Sequence, residues 1–294
     1  MDETDLIILR KLLDNSRLTY RELAELTDMA VSTIHKRINT LIEDDVILGF
    51  IARPSIIALK SLLVTIFGTS NAKSLNAVSK ELGQNENVVS VATASGKMMY
   101  ISGFLRDISA LRDHSAYISK TAEMSEPTVG IIDVPYITLP EPLTTIDYKI
   151  IKSLNRDSRK PITDVADDVG VSTKTVKKRL DRMIENNLVE FSIEWSDKAE
   201  NNLTTGFHLH LNEGTDIDST SKHLFEKYNQ NTIACIAFSN IPNLIIMFTW
   251  TKDTQKSYEI QEKLQNEGFR DVIPHLIIST DYYESWVDKL VRSK

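Results

Sequence analysis

Apolar residues at helical spacing define one side of the stretch 19–43. The second half of this stretch places apolar side chains at i, i+4, i+7 and i+8, which predicts a helix that buries one stripe. These residues are Ile34, Ile38, Leu41 and Ile42. The first half begins with Thr19 and Glu22, the spacing of a capping box. Asp28 then interrupts the pattern. We therefore predict two short helices joined by a tight turn.

The same stretch recurs 142 positions later, at 161–185. Segments 5–47 and 147–189 align without a gap, and Gly170 stands where the first copy has Asp28. The apolar stripe is repeated in phase as Val176, Leu180, Met183 and Ile184. The chain is therefore predicted to be an internal duplication.

The other side of each second helix carries short polar and basic side chains, which suit the edges of bases and the phosphates in a DNA major groove. The candidate DNA-binding residues are Ser32, Thr33, His35, Lys36, Arg37, Thr173, Lys174, Thr175, Lys177, Lys178, Arg179 and Arg182. Solvated helix faces, or pairing of Arg37 and Arg179 with acids inside the domain, are the competing interpretations.

The pattern of apolar residues changes beyond each helix pair. A short strand follows, which predicts a wing, and then strands and helices alternate in the order β-α-β-β-α-β, the ferredoxin-like plan. The fold class is α+β, a tandem repeat of these two modules. The predicted domains are winged helix-turn-helix unit 1 at 1–56, ferredoxin-like domain 1 at 57–137, a linker at 138–146, winged helix-turn-helix unit 2 at 147–198, and ferredoxin-like domain 2 with a C-terminal helix at 199–294.

Charge separates the two copies. The 294-residue chain has a net charge of −7, which by itself argues weakly against nucleic acid. Residues 1–52 carry a net charge of −4 and residues 143–196 a net charge of +1, so we expect unequal affinities for DNA. The apolar run at 61–68 is too short to span a bilayer, the N-terminus lacks the layout of a signal peptide, and the single cysteine excludes an internal disulfide. A cytoplasmic protein without a membrane partner is expected.

These modules, in this order, resemble the Lrp/AsnC family of bacterial and archaeal transcription regulators. The run Thr33-Ile34-His35-Lys36-Arg37-Ile38 and its counterpart Thr175-Val176-Lys177-Lys178-Arg179-Leu180 carry the resemblance, together with the leading Asp5 and Asp147. The resemblance implies a transcription regulator with double-stranded DNA as its partner. We expect no cofactor and no catalytic site, since the sequence shows no nucleophile–base spacing, Gly-rich phosphate loop or paired carboxylates at a strand end. The resemblance also implies a small-molecule effector near the turn between the second and third strands of the ferredoxin-like domain.

The effector candidates in these turns are Ser95, Gly96, Lys97, Ser239, Asn240 and Asn243. Members of the family often have Gly followed by Asp there. This chain departs from that pattern, since the first copy has Gly without Asp and the second has neither.

Family members usually carry one copy and pair through the ferredoxin-like domain. Because both copies lie here in one chain, we predict an internal pseudo-dimer, with further homodimerisation left open.

Two alternatives stay open. His208 and His210 share one face of a strand, and His275 lies on the last strand, which this topology places next to the first. Some proteins of this plan are similar to siroheme decarboxylases, which use His on a tetrapyrrole. A structural role is the simpler interpretation of these histidines, and no metal site is predicted. The other alternative is a ligand-sensing protein that no longer binds DNA.

Overall fold

A computed structural model describes residues 1–132, 142–196 and 203–294. The helices are α1 Glu3–Asp14, α2 Tyr20–Thr27, α3 Val31–Glu43, α4 Ile56–Leu59, α5 Leu75–Leu82, α6 Leu111–Thr121, α7 Thr145–Leu154, α8 Ile162–Val169, α9 Thr173–Glu185, α10 Ile217–Lys227, α11 Thr254–Gln265 and α12 Trp286–Ser293. The strands are β1 Ile47–Pro54, β2 Leu62–Thr69, β3 Val88–Ala94, β4 Met98–Leu105, β5 Thr128–Ile131, β6 Val189–Trp195, β7 Leu203–His210, β8 Thr232–Phe238, β9 Ile241–Thr251 and β10 Asp271–Tyr282.

The predicted helix pairs are α2–α3 and α8–α9. Thr19 and Glu22 form the capping box that the sequence indicates, with the Thr19 hydroxyl accepting from the Glu22 N–H. The buried stripes contain Ile34, Ile38 and Leu41 in α3 and Val176, Leu180 and Met183 in α9. The prediction that Ile42 and Ile184 complete these stripes is wrong, because Ile42 is 41% exposed and Ile184 is 47% exposed. Each follows a buried residue directly and so points away from the stripe.

The turn between the paired helices uses left-handed backbone in both copies. Asp28 has φ 53° and Gly170 has φ 74°. A side chain pays a steric cost in this conformation that glycine does not.

We expect Asp28→Gly to raise the free energy of unfolding by about 1 kcal/mol, because it relieves this cost. The reverse change in the second copy, Gly170→Asp, should lower it by a similar amount. Urea unfolding measures the change in the free energy of unfolding for both variants. A destabilised Asp28→Gly variant would show that the Asp28 side chain makes a contact worth more than the relief.

The strand that follows each helix pair, predicted to form a wing, is present in both copies as β1 and β6. β1 and β6 pair with each other as a two-stranded antiparallel sheet. Phe50 lies opposite Ile193 and Ile51 opposite Ser192. Ser192 is the repeat counterpart of Phe50, and Ile193 that of Ile51, so the pairing is reciprocal: each residue lies opposite the counterpart of its neighbour. The two helix-turn-helix units are therefore related by a local two-fold axis that crosses this ribbon.

The C-terminal helix does not belong to ferredoxin-like domain 2, which corrects the predicted boundary at 199–294. α12 packs against α7 and β1, and Val291 lies in the core that α7, α8 and α9 share. Lys152 Nζ also donates to the Arg292 carbonyl at 2.7 Å. The amphipathic pattern of α12 predicts a packed face but does not specify what that face packs on.

The predicted linker, 138–146, lies only partly within the described residues. Residues 138–141 and the predicted boundary at 198/199 lie outside them. Within the described part, Thr144 caps α7 and Thr145 begins it, so the second helix-turn-helix unit begins before residue 147.

The two ferredoxin-like domains share one eight-stranded sheet with the order β5-β2-β4-β3-β10-β7-β9-β8. β10 joins them, because Asp271–Leu276 pair with β7 and Ile277–Tyr282 pair with β3. Ile132, directly after β5, forms a bridge with Phe238 at the end of β8, so the two edge strands of the sheet also meet.

Three apolar cores follow from this arrangement. One lies between α5, α6 and the first four-stranded half, and another between α10, α11 and the second half. The third contains residues from both halves, on the face without helices. Its members include Phe67, Tyr100, Phe238 and Ile246. Each half therefore covers the open face of the other.

Candidate DNA interface and effector regions

The recognition helix of the first unit, α3, presents polar side chains opposite its buried stripe. Ser32, Thr33, His35 and Lys36 are exposed, as predicted for a DNA-facing side, whereas Arg37 is half-buried and already makes an interaction. The His35 ring lies edge-on to Tyr20 at 4.9 Å, and its Nδ1 is 3.4 Å from the Asn39 amide nitrogen. These contacts orient the imidazole on the outer side of the helix.

The recognition helix of the second unit, α9, presents a more basic surface. Thr173, Lys174, Lys177 and Lys178 are exposed. Thr175 is half-buried, and both its N–H and its hydroxyl bond the capping hydroxyl of Ser172. Among the predicted residues, α3 thus exposes one lysine and α9 exposes three. This difference agrees with the unequal net charges of the two copies.

Two predicted DNA contacts on α9 are instead part of an ion pair within the domain. Asp147 is fully buried, and Arg182 Nη2 donates to its Oδ2 at 2.6 Å. Arg179 Nη1 lies 3.6 Å from Oδ1 of the same carboxylate and 3.2 Å from Thr144 Oγ1. A buried carboxylate needs such partners to offset its desolvation. We therefore remove Arg179 and Arg182 from the candidate DNA-facing set.

The turns predicted to bind an effector use their polar groups to join the two ferredoxin-like domains. Ser95 Oγ accepts from the Leu276 N–H of β10 at 3.0 Å. Asn240 Oδ1 accepts from the Ile131 N–H, and its Nδ2 donates to the Val129 carbonyl, both at 2.8 Å. Each turn thus binds the last strand of the other domain.

The remaining effector candidates are also engaged. Lys97 Nζ donates to the Ala72 carbonyl, the Ser239 N–H to the Ile131 carbonyl, and the Asn243 carbonyl accepts from Leu211. Gly96 supplies a positive φ of 67°. Ser95, Ser239 and Asn240 thus bond across the two domains, whereas Lys97 and Asn243 bond within their own. Effector binding at these turns stays a prediction.

Two of the three predicted histidines meet on the shared face of the sheet. The rings of His208 and His275 lie 4.7 Å apart, and His208 Nε2 is 2.8 Å from the Tyr100 hydroxyl of the other domain. His210 lies one step along β7, with its Nδ1 3.4 Å from Arg270. Among residues 1–132, 142–196 and 203–294, no group of three or more His, Cys, Asp or Glu side chains is placed to hold a metal ion.

Burial keeps this pair neutral. It lowers the pKa of His208 to about 3, with a smaller contribution from the neighbouring His275, and it lowers the pKa of His275 as well. Burial also raises the pKa of the Tyr100 hydroxyl and raises that of the Cys235 thiol to about 12.

These directions predict a loss of stability in acid. Below about pH 6.5 an unfolded histidine is protonated while folded His208 is not, so stability falls as the pH drops from 6.5 towards 3, by up to about 1.4 kcal/mol per pH unit for each such group. Urea unfolding at pH 7, 6, 5 and 4 measures the slope. His208→Leu should flatten it, whereas the control His223→Gln, at a 55% exposed histidine, should not. Equal slopes in all three proteins would contradict the assignment.

Sequence reasoning missed Tyr100, Ser16 and Ser158 as contact residues. Tyr100 lies in β4, an almost continuously apolar run that predicts a buried strand but not what each side chain meets. Ser16 and Ser158 are identical residues at equivalent positions, and such identity was the available signal for contact across an axis.

The comparisons with known proteins cover both helix-turn-helix units. Residues 1–47 match the family model of winged helix-turn-helix DNA-binding domains, and residues 143–184 match that of the AsnC-type helix-turn-helix domain. A 98-residue segment is 32% identical to an uncharacterized HTH-type transcriptional regulator of Pyrococcus furiosus. The match to one of Pyrococcus abyssi is 31% identical over the same length. Each match is 33% of this chain and spans 66% and 67% of the relatives, or about two thirds of their length.

The whole chain has a structural counterpart. Siroheme decarboxylase NirDL, solved in co-complex with an iron-uroporphyrin III analogue, superimposes with a TM-score of 0.63 over 99% of this chain and 96% of that one. The two sequences are 12% identical, so this likeness shows the fold alone. Within the described residues, every helix is too short or too polar to cross a membrane. By its domain order, its two helix-turn-helix matches and its Pyrococcus relatives, the chain belongs to the helix-turn-helix transcriptional regulators of the Lrp/AsnC type.

Proposed function

We propose that the protein is a sequence-specific regulator of transcription that binds double-stranded DNA with both helix-turn-helix units of one chain. The observation that carries this proposal is the pair of exposed polar faces on α3 and α9. The two helix-turn-helix units that present these faces are related by a local two-fold axis. Two recognition helices related in this way are the arrangement by which dimeric regulators reach successive major grooves. We place the protein in the cytoplasm of a prokaryotic cell.

The basic residues of α9 supply the affinity in this proposal. Lys174, Lys177 and Lys178 would neutralise phosphates, and each released counterion contributes to binding. On α3, Ser32, Thr33 and His35 offer short donors and acceptors that suit base edges. Capture of genomic fragments by the purified full chain, followed by titration of the enriched sequences at several salt concentrations, tests the proposal. Binding without sequence preference, or no binding, would overturn it.

We further propose that the internal pairing of the two ferredoxin-like domains replaces the subunit pairing of single-copy regulators. The continuous sheet, the shared core and the Tyr100–His208 hydrogen bond support it. Cross-linking of mixed light and heavy chains tests it, because internal pairing gives links between 62–132 and 203–280 within one isotope label. Links found only between labels would overturn it. Homodimers built on outer surfaces remain compatible with this pairing.

A second candidate function rests on the His208–His275–Tyr100 cluster. Two neutral imidazoles on a partly apolar face suit a tetrapyrrole iron, and the fold resembles that of a siroheme decarboxylase. Titration with an iron porphyrin, followed by visible absorbance, tests this candidate. A spectral change that is lost in His208→Leu and kept in the control His223→Gln would favour it. An unchanged spectrum would leave the regulator as the function.

A further inference from the structure

The two recognition helices expose different side chains, yet their helix-turn-helix units are joined to each other by hydrogen bonds. From this we infer that the DNA target is a non-palindromic site made of two different half-sites at one fixed spacing. The inference rests on the proposed function and specifies the class of DNA that the protein would bind. Three observations within the helix-turn-helix unit carry it: the local axis, the contacts across the axis, and the chemistry of the two exposed faces.

The local axis is well defined by equivalent residues that touch. The hydroxyls of Ser16 and Ser158, which are 142 positions apart, lie 2.6 Å from each other and are both buried. The β1–β6 ribbon extends the same relation, because Phe50 lies opposite Ile193 and its neighbour Ile51 lies opposite Ser192, the counterpart of Phe50. A side chain can meet its own repeat counterpart only near a two-fold axis. The recognition helices are therefore placed as in a symmetric dimer.

A reciprocal pair of arginines holds the two units in this relation. Arg17 Nη1 donates to the Ser158 carbonyl, and Arg159 Nε donates to the Ser16 carbonyl at 3.0 Å. Arg159 also donates to the Leu18 carbonyl, at the start of the loop that leads into α2. Charge-assisted bonds to backbone in partly buried surroundings resist rearrangement. We therefore expect the distance between α3 and α9 to be fixed when DNA binds.

Aromatic contacts of these arginines differ between the copies. The Arg159 guanidinium lies 4.8 Å from the Tyr20 ring and 4.9 Å from the Phe50 ring. Tyr20 in turn contacts His35 on α3. The counterpart of Tyr20 in the second unit is Ile162, and Arg17 lies instead over the Phe191 ring, 5.6 Å from its centroid. The orientation of His35 is therefore supported by the other unit, and α9 lacks this support.

The exposed faces would read different DNA. Equivalent positions carry Ser32 and Lys174, and likewise His35 and Lys177. Lysine is a flexible point charge that suits phosphates, whereas a hydroxyl or an oriented imidazole bonds base edges at short range. Identical half-sites mirror identical recognition helices, so two unlike helices on one axis call for two unlike half-sites.

Selection from a library of random duplexes tests the inference on the full chain. We expect an enriched motif whose two halves differ and whose spacing is constant. Insertion of about five base pairs between the halves, half a helical turn, should weaken binding at least about tenfold. A palindromic motif, a single half-site, or tolerance of the insertion would overturn the inference while leaving the proposed function intact. If no duplex is enriched, the proposed function fails and the inference falls with it.

A variant that makes the two faces alike gives an independent readout. Val31→Thr, Ser32→Lys and His35→Lys together give α3 the side chains that α9 carries at three equivalent exposed positions, 173, 174 and 177. Selection with this triple variant should yield a palindrome of the half-site that α9 binds. An unchanged asymmetric motif would overturn the inference. The changed positions are all exposed, so the variant keeps the buried stripe of α3.

Discussion

Replacing Lys177 and Lys178 with Ala will lower the affinity for DNA by about 60-fold at 0.1 M salt, if each lysine binds one phosphate. The estimate follows from the counterions that each phosphate contact releases, which gives a slope of about 0.9 in log affinity against log salt per contact. The double variant should therefore flatten the salt dependence by about 1.8 units. Both side chains are exposed on α9, so folding should not change.

A matched control distinguishes the loss of lysines on α9 from the loss of positive charge in general. Lys73→Ala with Lys80→Ala removes the same charge from an exposed part of the first ferredoxin-like domain and should leave the slope unchanged. Lys36→Ala in α3 should flatten the slope by about 0.9 units, half the effect of the double variant in α9. Fluorescence anisotropy at several salt concentrations measures all three proteins. Equal losses from the α9 variant and the control would refute the assignment of α9 to DNA.

Replacing Asp147 with Ala will destabilise the helix-turn-helix unit by about 3 kcal/mol. Asp147 is fully buried and bonds Arg182 directly, and its backbone and carboxylate complete a capping box with Thr144 at the start of α7. Removal of the carboxylate leaves two guanidinium groups without their shared partner and removes a cap. Thermal or urea unfolding, followed by circular dichroism, measures the loss.

The control for Asp147 is Asp168→Ala, which removes an exposed carboxylate from the same unit. Asp168 accepts from Lys160 Nζ at 2.8 Å, but its side chain is 48% exposed, and water competes for such pairs. A much smaller loss of stability is expected. Similar losses from the two variants would mean that burial of Asp147 does not set the strength of its ion pair. Arg182→Ala should cost stability and leave the salt slope of DNA binding unchanged, which distinguishes it from the α9 lysines.

Local sequence patterns predicted the helices because local forces form them. The capping box of Thr19, the left-handed turn at Asp28 and Gly170, and the apolar stripes of α3 and α9 all involve residues a few positions apart. The strands β2, β3 and β4 lie where the apolar runs predict them. The repeat at 142 positions carried these predictions from one half of the chain to the other.

Electrostatic roles were less predictable, because they depend on what a helix face meets. Lys177 and Arg179 are two positions apart on one basic run, and the sequence marks both as candidates for DNA. Arg179 turns to Asp147 because α7 brings a buried carboxylate to that side of α9. Lys177 lies on the outer side of α9 and stays exposed. The sequence shows which residues are charged, whereas the tertiary structure determines which of them form ion pairs within the protein.

By itself the sequence determined the order of the modules, the duplication, the helix pairs and the inequality of charge between the two copies. Only the tertiary structure decided that β1 pairs with β6, that α12 packs on α7, and that the turns at Ser95 and Asn240 join two domains. The physical reason is that alternation and amphipathicity state which face of an element must be buried, but not which distant face covers it. Many partners satisfy the same apolar stripe, and the choice among them depends on the shape and hydrogen bonding of the whole unit.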